Sequence, residues 1–257
     1  MSNKSEIIKI FENAAREAGK LIYKEFGKIS EAKVHSKDMG DFVTTTDLET
    51  ENILLKILKK HFPNSSYLTE ESDPLRGNEE TIVIDPIDGT TNFIHGIPSV
   101  GIVIGRVYNN EITDGIIFNP ILNEFYFASK GKGAWCNEQK LMVSKEKDIS
   151  KCLIGATIPH ANRGYTNYLS EIDNIAKKCS GFRCTGSAAI DLTFVASGKT
   201  DAFWQRNLNL WDMCSGVLLV REAGGMITQP DGKEWTIDNS DILASNQLIH
   251  KQVQENL

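Results

Sequence analysis

The chain has 257 residues, 40% of them hydrophobic and 24% charged, enough apolar material to bury a substantial core and too much for pervasive disorder. A formal net charge of −6 argues against a protein built mainly to coat nucleic acid, though not against a local basic patch. No apolar run is long enough to span a bilayer, and the N-terminal residues lack a signal-peptide pattern. Five scattered cysteines (Cys136, Cys152, Cys179, Cys184 and Cys214) without a C-x-x-C pair argue against structural zinc or a disulfide framework, so the expected location is the cytosol.

The first segment reads as a helix, with Ile7, Ile10, Phe11, Ala14, Ala18, Leu21, Ile22 and Phe26 at helical spacing and Gly27 placed to stop it. A second helix is expected from Thr46, where Thr46 and Glu49 have capping-box spacing, to a point before Pro63. From Thr81 the period changes. Thr81 to Ile84 is a β-branched run ending in Asp85-Pro86, followed by strand-like segments Val100 to Val107, Ile112 to Phe118 and Glu124 to Ala128, with turns at Asn109-Asn110 and Asn119-Pro120. The second half alternates: a strand at Leu153 to Thr157, a helix at Tyr168 to Cys179 and a helix at Ser187 to Ala196. A strand at Asp201 to Trp204 and a helix at Trp211 to Ala223 complete it. The pattern predicts an α+β half of about residues 1–145 and an α/β half of about residues 146–257, joined without a linker-like boundary.

The densest chemical signal is Asp85-Pro86-Ile87-Asp88-Gly89-Thr90-Thr91-Asn92-Phe93. The strand delivers Asp85 to its end, Pro86 turns the backbone, and Asp88 can point back to the same spot. Gly89 allows close approach, and the helix opening behind it offers amide N–H groups that suit a phosphate. Two hard oxygen ligands beside an anion cradle fit Mg²⁺, which is commonly shared with substrate phosphate; an ordinary Asp-Gly turn is the plainer alternative. There is no G-x-x-x-x-G-K-[ST] loop. The aspartates stand three apart, not two as in aspartyl-phosphate phosphatases, and the cysteines lack a phosphate loop. Metal-assisted attack by water remains.

Asp85 to Phe93 resembles the signature of the inositol monophosphatase family in its bacterial type, within the lithium-sensitive Mg²⁺ phosphatase superfamily. Leu68-Thr69-Glu70-Glu71-Ser72, Val43-Thr44-Thr45-Thr46-Asp47, and Leu210-Trp211-Asp212 with Glu222-Ala223-Gly224-Gly225 resemble its other elements, in the family's order. The resemblance implies one domain over residues 1–257, an α+β fold in a layered α/β/α/β/α sandwich of the inositol monophosphatase and fructose-1,6-bisphosphatase type, and two or three Mg²⁺ ions per site. Glu70, Asp85 and the Ile87 carbonyl would hold one ion. Asp85, Asp88 and Asp212 would hold a second, and Glu70 would touch a third. Glu70, Thr90 and Asp47 would be catalytic, positioning the attacking water, while Gly89 and Thr90 would give N–H groups to the phosphate. Substrate hydroxyls would meet Asp88, Ala188 of Gly186-Ser187-Ala188, and Gln205, which stands where the family usually has Glu and lacks that charge. The resemblance also implies Li⁺ inhibition, a homodimer, and Lys37 and Asp38 on a closing loop from Ser36 to Asp41.

The implied activity is hydrolysis of inositol monophosphate. Fructose 1,6-bisphosphate, histidinol phosphate or a nucleotide phosphate would keep the mechanism and change the substrate. A regulatory role is the other alternative, since some bacterial members of the family contact the transcription machinery. His95 reads as structural, and Trp135 and Trp211 as packing aromatics.

Overall fold

The computed structural model describes residues 4–28, 43–77, 80–157 and 168–257, together with the backbone of 34–38 and 41–42. Helix α1 (Glu6–Glu25) is capped by Ser5, whose hydroxyl accepts the Ile8 amide, and it buries Ile8, Phe11, Ala14, Ala18 and Ile22 on one face. It ends before Gly27, which has φ +66°. Strands β1 (Val34–Asp38) and β2 (Asp41–Thr44) pair antiparallel, so Ser36 to Asp38 and Asp41 of the segment expected as a closing loop lie in paired strands. The side chains of Lys37 and Asp38 lie outside the described residues. Helix α2 (Thr45–His61) starts where β2 ends. The capping box is Thr44 with Asp47, not Thr46 with Glu49, because the backbone at Thr44 is still extended.

Then come β3 (Ser66–Thr69), β4 (Glu80–Asp88), α3 (Thr90–His95), β5 (Gly101–Tyr108), β6 (Glu111–Asn119), β7 (Glu124–Ser129), β8 (Ala134–Cys136) and β9 (Gln139–Lys140). They form a seven-stranded sheet in the order β3-β4-β5-β6-β7-β8-β9, parallel only between β3 and β4. Asn109 and Asn110 both take positive φ in the β5–β6 turn, as a tight hairpin requires. The second half contains β10 (Leu153–Ala156), α4 (Tyr168–Ala176), β11 (Gly181–Arg183), α5 (Ala188–Ala196), β12 (Ala202–Gln205), α6 (Leu210–Glu222), β13 (Met226–Thr228), β14 (Ile242–Ser245) and α7 (His250–Gln254). Its five-stranded sheet runs β11-β10-β12-β14-β13, with β10 parallel to β11 and β12 and the other pairs antiparallel.

Three apolar clusters stack these elements. One joins α1 and α2 to a face of the large sheet through Phe11, Leu54, Ile82 and Ile104. A second joins the opposite face to α5, α6 and the smaller sheet through Val103, Leu192, Phe203 and Val217. A third covers the far side of the smaller sheet with α4 and α7, around Tyr168, Trp204 and Val253. The result is the expected α/β/α/β/α layering. Helices α5 and α6 are buried almost all round, as helices between two sheets must be. The cysteines are free thiols, Cys152 and Cys214 buried and Cys184 exposed.

The two central helices approach each other at Gly216, where an added Cβ would lie 2.4 Å from Leu192 Cδ1 and 2.6 Å from Leu192 Cβ. A methyl group there must push α5 from α6. Gly216→Ala is expected to cost about 1–3 kcal/mol, the usual penalty of overpacking, read as a lower midpoint in urea unfolding.

Candidate active site

Strand β4 carries the first acids. Asp85 is 1% exposed, so it sits inside the strand end and not on it. Pro86 supplies no N–H, and the pairing of β4 with β5 shifts register between Asp85 and Asp88. Asp85 Oδ1 accepts the Ile87 amide at 3.0 Å. Gly89 leaves the strand with φ +92°, and a Cβ there would stand 2.8 Å from the Ser99 carbonyl. Only glycine fits, and α3 then begins with no side chain capping its amides.

Asp212 comes from the other half. It is the third residue of α6, and its Oδ2 accepts the Asn209 amide at 2.7 Å. Asp212 therefore takes part in capping its own helix. One oxygen each from Asp85, Asp88 and Asp212 lie within 4.8 Å of one another. Glu70 directly follows β3, parallel to β4 in a register that sets Thr69 beside Ile84. It hydrogen-bonds to Asp85.

A second group flanks the first. Thr90 Oγ1 stands 2.9 Å from Asp47 Oδ1 and 3.0 Å from the Ile87 carbonyl. Asp47 Oδ2 takes the Thr44 amide at 2.9 Å and the Thr44 hydroxyl at 2.5 Å. Asp47 is thus at once a helix cap and the partner of Thr90. A hydroxyl has one proton, so Thr90 donates to Asp47 or to Ile87, not to both.

Residues 3–257 match the family described as "Inositol monophosphatase family". The chain belongs to the inositol monophosphatase family. It is 36% identical over 251 residues to the inositol-1-monophosphatase of Mesorhizobium japonicum, covering 96% of this chain and 94% of that protein. It is 35% identical over 252 residues to the Nus factor SuhB of Pseudomonas aeruginosa, covering 95% and 93%. The crystal structure of the extragenic suppressor protein suhB from Bartonella henselae superposes with a TM-score of 0.95 at 36% identity, over 98% of each chain. Family membership makes the chain a phosphatase of a metal-dependent family, and the acidic cluster fits such a role.

The electrostatics of this family member's site point the same way. Burial, then the charges of Glu70, Asp88 and Asp212, push the Asp85 carboxyl well above the ordinary carboxylate range. Burial raises Asp88 to about 6, against hydrogen bonds from Ser187, Ala189 and Ala188 that pull it down. Burial also raises Asp47, against donors from Thr44 and Thr90. The leading charge effects on Asp85 all come from other acids. An all-oxygen donor set under this repulsion suits a hard divalent cation.

The other expected residues fall as follows. Ala188 opens α5, where its amide and that of Ala189 (2.7 Å) reach Asp88. Gln205 ends β12, buried, and its Oε1 has no hydrogen-bond partner. Trp204 belongs to the cluster under α4 and α7, so alternation turns Gln205 to the side of α5 and α6. His95 is exposed in the last turn of α3. Trp135 and Trp211 pack against the apolar clusters.

Sequence reasoning missed four residues. Ser187 Oγ donates to Asp88 Oδ2 at 2.5 Å. Asn92 Nδ2 reaches the Ser99 and Thr185 carbonyls at 2.8 Å each. Glu51, on α2, accepts the Glu71 amide at 3.0 Å and the Ser72 hydroxyl, holding the turn that carries Glu70. Asp191 is buried on α5. The only sequence signal was for Ser187 and Asn92, which lie inside quoted motifs.

A carboxyl raised in the folded state favours folding below its unfolded pKa, and that contribution disappears as pH rises through the folded value. For Asp88 the window runs from the ordinary value of 3.8 to about 6. Chelator-treated protein is therefore expected to lose several degrees of Tm between about pH 4 and pH 6, and Asp88→Asn to show a shallower slope over the same range.

Proposed function

We propose that this chain hydrolyses a small phosphate monoester, inositol monophosphate foremost, with Mg²⁺ held by its acidic corner. The observation that carries the reading is the meeting of carboxylates from β4 and α6 within 4.8 Å, beside the uncapped start of α3. Glu70, Asp85 and the Ile87 carbonyl would hold one ion, and Asp85, Asp88 and Asp212 a second, with Glu70 touching a third. Bound there, Mg²⁺ supplies charge neutralisation for the phosphate dianion and for the entering and leaving oxygens.

The chain's own groups do the positioning. With the Ile87 carbonyl turned to an ion, Thr90 gives its proton to Asp47 and offers its lone pairs to the attacking water. Glu70, next to Asp85, orients the same water. Gly89 and Thr90 present N–H groups to the phosphate, and Asp88, Ala188 and Gln205 face the polyol. The orphaned Gln205 Oε1 gains a partner from a substrate hydroxyl. We take residues 1–257 as one domain, because α5 and α6 pack against both sheets in a shared core, and we take the chain as a homodimer inhibited by Li⁺. Among the described residues no helix is long and apolar enough to cross a membrane, which agrees with work in the cytosol.

A second reading rests on relatives named Nus factor SuhB: the protein would also serve the transcription machinery through its surface. Phosphate release from inositol monophosphate, fructose 1,6-bisphosphate, histidinol phosphate and nucleotide phosphates tests the first reading. Inositol monophosphate is expected to be hydrolysed fastest, with activity abolished by EDTA, restored by Mg²⁺, and lowered by at least about 10³-fold in Asp85→Asn. An Asp85→Asn protein that keeps full turnover would refute the reading.

A further inference from the structure

Beyond the acidic corner, one buried acid has no part in the reaction described above. Asp191 lies one turn into α5 and is 1% exposed. Its Oδ2 accepts the hydroxyls of Thr185 at 2.8 Å and Thr157 at 3.3 Å. Its Oδ1 is buried without a hydrogen-bond partner, packed over Gly155, where a Cβ would stand 3.3 Å away. A buried carboxylate with an unpaired oxygen is costly, and an apolar side chain would fill the space more cheaply. Asp191 is not needed as a cap either, since Ser187 Oγ accepts the Ile190 amide at 3.2 Å and does that work.

Its partners show what it does. Strands β10 and β11 run parallel with Gly155 beside Arg183, so Thr157 and Thr185 follow at the C-terminal edge of the sheet. Thr185 has one proton and two acceptors in reach, Asp191 Oδ2 at 2.8 Å and the Ser187 carbonyl at 3.2 Å. The shorter bond to the acid takes it. Thr185 Oγ1 is then left to accept the Ser187 amide at 3.4 Å, while the Thr185 carbonyl is held by Asn92 from α3. Ser187 in turn donates to Asp88. The links run Asp191, Thr185, Ser187, Asp88, each a hydrogen bond.

We propose that Asp191 is a positioning residue: through Thr185 it fixes the turn that brings Ser187 and Ala189 to Asp88, and so sets how well Asp88 holds a divalent cation. This rests on the reading of Asp88 as a metal ligand. The device is the outer support that orients a coordinating carboxylate, assembled here from the opposite half of the chain.

The test is calorimetric titration of chelator-stripped protein with Mg²⁺ alone, for wild type, Asp191→Ala, Asp191→Asn and Thr185→Val, each checked for folding by circular dichroism. Asp191→Ala and Thr185→Val are expected to bind Mg²⁺ on the order of tenfold more weakly. Asp191→Asn should recover most of the affinity, because its amide oxygen still accepts the Thr185 proton. Wild-type affinity in folded Thr185→Val or Asp191→Ala overturns the proposal. If Asp191→Ala does not fold, Thr185→Val decides, since it removes the same hydrogen bond and keeps the acid. A wild-type protein that binds no Mg²⁺ overturns the functional reading and this inference with it; wild-type binding with unaffected variants overturns this inference alone.

Discussion

Mutual repulsion of carboxylates drawn into one partly buried corner is the constraint on which the rest of this structure depends. Asp85, Asp88 and Asp212 bring oxygens within 4.8 Å of one another, with Glu70 bonded to the most buried of them. Left alone, such a group can relieve itself by taking up protons: burial first, with the charges of the neighbouring acids adding to it at Asp85, holds the Asp85 and Asp88 carboxyls above the ordinary carboxylate range. A cation relieves it without a proton. The site is therefore a place of stored electrostatic strain in the bare chain and of stability in the loaded one.

The fold holds that corner together against its own repulsion. Each acid stands on a different support: Asp85 within the register shift of β4, Asp88 on the N-terminal amides of α5, Asp212 in the capping box of α6, and Glu70 on a turn tied down by Glu51. Those supports come from both halves of the chain. The layer of α5 and α6, buried between the two sheets, keeps the halves at a fixed distance, and its close packing on β5 at Gly105, where a Cβ would stand 2.4 Å from Cys214 Sγ, leaves little room for them to slide. Rigidity in the core is what lets four like charges stay aligned, and alignment is what the chemistry requires.

What could be seen in the sequence follows from how local each signal is. The spacing of Phe11, Ala14, Ala18 and Ile22 in α1 is complete within one helix and was readable there. Asp85, Asp88 and Gly89 lie within five consecutive residues of one motif, and a turn motif is local too. The capping of α2 was misplaced because Thr44, Thr45 and Thr46 are equivalent on paper; the end of β2 chooses among them, and that depends on pairing with β1. Strands of two to four residues such as β3, β9 and β13 are too short to show alternation. The bond from Ser187 to Asp88 spans 99 positions, and the Asn92 bond to Thr185 spans 93. Nothing in a linear pattern couples residues so far apart. Resemblance to the family supplied the acids, while their supports emerged only from the coordinates.

The most direct test of the central claim is where a divalent cation settles. Crystals grown from chelator-stripped protein and soaked in Mn²⁺, a stand-in for Mg²⁺ visible by anomalous scattering, would give its position independently of activity. The account predicts an anomalous peak among the carboxylate oxygens of Asp85, Asp88 and Asp212. Strong peaks elsewhere with that corner empty, in protein whose folding is intact, would contradict it.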